Sequence, residues 1–115
     1  MPHRISILLS GVLALAATGA VRFAAAAEPP SFRLVIVNHR FQPATLAIPA
    51  NTKVRLMVEN RDATPEEFES NDFDREKVIL PNSSVVIFVG PLRPGQYRFF
   101  GEFNPATAQG VLRVE

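Results

Sequence analysis

From Phe32 to Val114 the chain is a succession of short β-type runs cut by Pro, Asn and Gly, and apolar residues nowhere recur at helical spacing. Val54–Asn60 shows the pattern most clearly. Val54, Leu56 and Val58 fall on one face and Arg55, Met57 and Glu59 on the other, as in a half-buried strand. Further strands are predicted at 32–37, 44–48, 66–70, 77–80, 85–89, 96–102 and 110–114, with turns at Gln42-Pro43, Pro49–Thr52, Pro81-Asn82 and Pro91–Gly95. In the strand at 66–70, Phe68 points inward. Tyr97 and Phe99 are core residues of the strand at 96–102, and Phe100 or Phe103 lies off the core by parity. Such strand spacing predicts an all-β sandwich; a small open barrel of the OB type is the other architecture it admits.

The segment ahead of these strands has a different character. Met1-Pro2-His3-Arg4 is a positive start, Ile5–Val21 carries no charge, and Ala24–Ala27 is an alanine run. This is the pattern of a cleavable secretory signal. The 17 uncharged residues fall short of the roughly 20 that comfortably span a bilayer. Residues 1–27 are therefore expected to be removed, with cleavage after Ala26 or Ala27. Removing 27 of the 115 residues leaves 88, from Glu28 to Glu115, enough for one domain. Such a small exported domain commonly carries disulfides. This chain has no cysteine, so its core must be efficient, and phenylalanine supplies it.

Charge is distributed unevenly. Between Glu59 and Glu76 there are eight acidic residues against Arg61 and Arg75, while the rest of the mature chain is basic on balance. No basic patch suggests a nucleic-acid partner. No Ser–His or Cys–His arrangement supports nucleophilic catalysis, and no glycine-rich phosphate loop is present. His39, the one mature histidine, belongs to a turn after the first strand and reads as a surface residue.

Three stretches carry a family resemblance. Phe41–Asp62 (FQPATLAIPANTKVRLMVENRD), Pro94–Gly101 (PGQYRFFG) and the closing GVLRVE resemble, in that order, the opening, the penultimate strand and the last strand of a cupredoxin. The resemblance implies a Greek-key β-sandwich. It also places Glu66 where a blue-copper protein has its first histidine, Gly101 where it has its cysteine, Asn104 where it has its second histidine, and Thr107–Gln109 near the axial methionine. A blue-copper centre needs a thiolate and two imidazoles, so none is expected here. Glu66–Asn82 (EEFESNDFDREKVILPN) is similar to the cupredoxin-like domains of bacterial periplasmic iron-uptake systems, including the EfeO type and the stand-alone partner of an iron permease. That similarity implies a periplasmic protein, a monomer, that handles iron or copper ions and assists ferrous iron oxidation.

The carboxylates are the candidate ligands. Glu67 and Glu69 share one face of their strand, opposite Glu66 and Phe68. Asp72, Asp74 and Glu76 follow, and Glu102 stands at the end where cupredoxins hold metal. Glu66, Glu67, Glu69, Asp72, Glu76 and Glu102 are therefore the expected metal-binding residues. Oxygen donors suit hard cations, and a cation relieves the repulsion among them. Two other readings stand beside this one. Glu66 pairs with Arg55, Arg75 or Arg98 and binds nothing, or the acidic run docks a basic partner surface on a metal-free scaffold. Mass spectrometry of the exported protein should give a start near Glu28; a mature protein still beginning at Met1 would contradict export.

Overall fold

The computed structural model describes His3, residues 10–14, Gly19 and residues 27–115. Most of the expected signal segment therefore lies outside the described residues. Among the described residues no helix is long and apolar enough to cross a membrane. Nine strands are present: β1 (Ser31–Val37), β2 (Arg40–Gln42), β3 (Thr45–Ile48), β4 (Val54–Asn60), β5 (Glu66–Ser70), β6 (Arg75–Ile79), β7 (Ser83–Val89), β8 (Gly95–Gly101) and β9 (Gln109–Val114). They form a four-stranded sheet in the order β2-β1-β4-β7 and a five-stranded sheet in the order β3-β9-β8-β5-β6. The pairs β1·β4 and β3·β9 are parallel and the remainder antiparallel. This is a β-sandwich of cupredoxin type, not the open barrel.

Alternation places the core. Val54, Leu56 and Val58 of β4 are fully buried, with Leu34 and Ile36 of β1 beside them. Phe68 and Phe99 project inward from the other sheet. Their rings stack at 5.2 Å, and Phe41 meets both edge-on, at 6.0 Å from Phe68 and 4.9 Å from Phe99. Phe73 adds a fourth ring against Phe68. Gly110 is required by this packing, because a Cβ there would lie 2.2 Å from the Phe99 ring. A buried Phe contributes both transferred area and edge-to-face ring contacts, which is how a domain without disulfides is held.

The strand boundaries differ from the sequence expectation where turns decide them. β6 begins at Arg75, not Lys77, because Ser70 pairs with Arg75 across a tight turn in which Asp74 takes a positive φ. β8 stops at Gly101, and Glu102 enters the following turn. Asn38 and His39 both have positive φ in the β1–β2 turn. Asp62 accepts hydrogen bonds from the amides of both, at 2.8 and 2.9 Å. His39 is thus a turn residue, as its sequence position suggests.

Asn60, buried at the end of β4, fastens the loop that leads to β5. Its amide donates to the carbonyls of Thr64 and Ile79, and its oxygen accepts from the Asp62 amide. The aromatic core gives a direct test. Phe68→Ala should destabilise the protein by about 3–5 kcal/mol, the usual range for a buried Phe, as measured by urea unfolding. A loss below about 1 kcal/mol would contradict the packing described.

Candidate metal centre

Strand parity divides the acidic run between two faces. Glu66, Phe68 and Ser70 point into the sandwich; Glu67 and Glu69 point away from it. The antiparallel register sets Glu69 opposite Glu76, and Glu67 opposite Val78. Glu67, Glu69 and Glu76 thereby come together on the outer face of the five-stranded sheet, and one carboxylate oxygen from each lies within 4.8 Å of the others. Glu102 adjoins them, because its amide donates to the Glu67 carbonyl at 2.9 Å. Like charges directly across an antiparallel pair are unfavourable. Among the described residues none of these four carboxylates has a cation within ion-pair distance.

That repulsion helps to raise the pKa of Glu67 and of Glu69. A shared hydrogen bond with the Glu76 carboxyl raises the Glu67 pKa to about 7, helped by partial desolvation and by the charges of Glu76, Glu69 and Glu102. Glu69 is also raised, first by partial desolvation and then by the charges of Glu102 and Glu76. Near pH 7 the Glu67 carboxyl is therefore partly protonated, and a cation would displace that proton.

Glu59 and Asp72 are committed elsewhere. Glu59 pairs with Arg33 and Arg61, whose hydrogen bonds hold its pKa below the usual value. Asp72, expected among the ligands, is not in the cluster. Its carboxylate accepts the Arg98 amide at 2.7 Å. β5 ends too early to supply that donor's partner, so the side chains of Asp72 and Ser70 continue the ladder. Ser70 Oγ donates to the Arg98 carbonyl at 2.6 Å.

Glu66 also stands apart from the cluster, and it pairs with no arginine. It is 1% exposed, inside the sandwich. Its carboxylate accepts from the amides of Glu67 at 3.0 Å and Phe103 at 2.9 Å, and from Asn104 Nδ2 at 2.8 Å. The arginine expectation fails because these three local donors already satisfy it. Gly101 and Ala108 close the remaining space. A Cβ at 101 would lie 2.6 Å from Glu66 Cδ and 2.6 Å from Ala108 Cβ. Glu66, Gly101, Asn104 and Ala108 therefore do converge, as the resemblance implies, but as a packed carboxylate–amide contact. With no thiolate, no imidazole and no room for a Cβ at 101, these residues do not fit a blue-copper ion.

Residues 6–114 match the family model described as a cupredoxin-like domain. The chain belongs to that family. It is 45% identical over 82 residues to an uncharacterized protein of Rickettsia prowazekii (strain Madrid E), an alignment that covers 71% of this chain and 66% of that one. The chain thus spans just under two thirds of that relative's length.

Among solved structures it resembles auracyanin A, a "blue" copper protein from Chloroflexus aurantiacus, with a TM-score of 0.66 and 13% identity over 76% of this chain and 100% of that one. It also resembles the metal-binding domain of the Cu(I)-exporting P-type ATPase CopA of Streptococcus pneumoniae D39, with a TM-score of 0.63 and 14% identity over 74% of this chain and 84% of that one. A third match is the purple cupredoxin of Nitrosopumilus maritimus, with a TM-score of 0.57 and 20% identity over 72% of this chain and 98% of that one. At these identities the likeness establishes the fold.

The raised Glu67 pKa has a stability consequence with a definite sign. A carboxyl whose folded pKa stands near 7, above its ordinary 4.5, favours the folded state at acid pH. That contribution is present below about pH 4.5 and is lost as pH rises towards 7. In metal-free protein, Glu67→Gln should therefore melt higher than wild type at pH 8, and the gap should close by pH 4.5. A gap that does not change with pH would contradict the shared-proton geometry.

Proposed function

We propose that this chain is a periplasmic metal-binding accessory protein that carries an iron or copper ion on its outer-face carboxylates for a bacterial iron-uptake system. The observation that carries the reading is the convergence of Glu67, Glu69 and Glu76 without a cation to neutralise them. Glu102, which shares their field, is the fourth available donor. A set of carboxylates suits a hard cation, so iron is favoured over copper(I). Partial exposure allows loading and release from the surface, which delivery to an iron permease or another uptake component requires.

Carboxylate donors also favour the more highly charged ferric ion over the ferrous ion. In that sense binding at the site makes ferrous iron easier to oxidise, which is how it would assist ferrous iron oxidation. The charged start, the uncharged segment and the alanine run at residues 1–27 support a periplasmic location. The similarity of Glu66–Asn82 to domains of iron-uptake systems supports the link to iron uptake.

One observation favours a second reading, a metal-free scaffold whose acidic face docks a basic partner. The interior position that holds metal in the copper proteins of this fold is filled here by Glu66 and Asn104. Direct titration separates the two. Glu67→Gln combined with Glu69→Gln should weaken binding of ferric and cupric ions at least about tenfold, or about 1.4 kcal/mol. Asp72→Asn should leave it unchanged, because Asp72 serves the Arg98 amide. If the double variant binds these ions as wild type does, the metal reading fails and the scaffold reading replaces it.

A further inference from the structure

The outer face that carries the carboxylates also carries an arginine that they do not use. Arg98 belongs to β8, on the same face as Phe100 and two residues before it. Phe100 is the register partner of Glu69, so Arg98 is the diagonal neighbour of Glu69, at about 7–8 Å. Its guanidinium makes no ion pair among the described residues, although Glu69 is its diagonal neighbour. Asp72 takes the Arg98 backbone amide and leaves the guanidinium free.

Instead, Arg98 lines a groove of about 670 Å³ together with Thr45, Phe100, Pro105, Gln109 and Val111. That volume lies within the range of about 300–1,000 Å³ usual for small-molecule sites. The groove combines an apolar floor with few polar groups, and its single charge is positive. A guanidinium presents a planar fork that matches a carboxylate.

Resting on the metal reading above, we infer that this groove receives the organic ligand of the ion, and that the protein takes its metal as a small polycarboxylate chelate. One oxygen each from Glu67, Glu69 and Glu76, even with Glu102 added, leaves part of the coordination shell of a hard cation unfilled. A hydroxy- or polycarboxylate fills those positions with its own oxygens. Its remaining carboxylate then extends along β8 to the Arg98 fork, and its carbon skeleton lies against Phe100. The acidic face repels such an anion when it comes without its metal, so the metal and Arg98 together define the ligand.

Gallium(III)–citrate serves as a redox-inert probe, titrated by NMR in parallel with bare cupric ion. The chelate should shift the amides of Arg98, Phe100 and Gln109 as well as those of Glu67 and Glu69. Arg98→Gln should weaken chelate binding at least tenfold while leaving bare cupric binding within twofold of wild type. The inference is overturned if Arg98→Gln binds the chelate as wild type does. It is equally overturned if citrate only strips cupric ion from the protein and the chelate never binds. If neither bare ion nor chelate binds, the metal reading itself falls, and this inference with it.

Discussion

A buried carboxylate sets the arrangement of this end of the sandwich. Glu66 accepts hydrogen bonds from two backbone amides and from the Asn104 side chain, on the inner side of β5. Those bonds tie β5 to the turn after β8, which carries Glu102 and Phe103. They also fix the parity of β5, because a one-residue slip would send Glu66 and Phe68 outward and leave three donors without an acceptor. With Glu66 and Phe68 inward, Glu67 and Glu69 have no position except the outer face. An unsatisfied buried polar group costs about 1–3 kcal/mol, a large fraction of a small domain's stability. The interior contact and the exterior carboxylates are thus consequences of one strand register.

The same register explains why the cluster is unfavourable as it stands. Edge strand β6 places Glu76 directly opposite Glu69, and nothing cationic intervenes. Several basic residues are held by other partners. Arg33 and Arg61 engage Glu59, Arg75 donates to the Phe88 and Asp74 carbonyls, and Lys53 lies over the Phe88 ring at 4.7 Å. Repulsion left without a neutralising cation is a cost that folding alone does not require. A ligand that removes it would supply the reason, and a hard cation is the simplest one.

Much of this was legible in the sequence, and the reasons are particular. The alternation of Val54–Asn60 and of Glu66–Ser70 identified inward and outward residues correctly, because a strand buried on one face leaves no freedom of parity. The pairing of Glu67 with Glu69 followed from that alone. Glu76 joined them through a register set by a tight turn at Asn71–Asp74, and turn geometry of that kind was not readable from residue types. Asp72 was misplaced for a related reason. Its partner is a backbone amide 26 residues away, and no sequence pattern marks it. Glu66 was expected either to bind metal or to meet an arginine. Its donors are amides of its own strand and of the β8–β9 turn, visible only once β8 lies beside β5.

The account therefore turns on where an ion sits. In crystals of the protein soaked with ferric or cupric ion, an anomalous-difference map locates the metal without reference to any expected ligand. The account predicts a peak outside the five-stranded sheet, among the carboxylates of Glu67, Glu69 and Glu76, with Glu66 still bonded to Phe103 and Asn104. A peak inside the sandwich, beside Glu66 and Asn104, would contradict it.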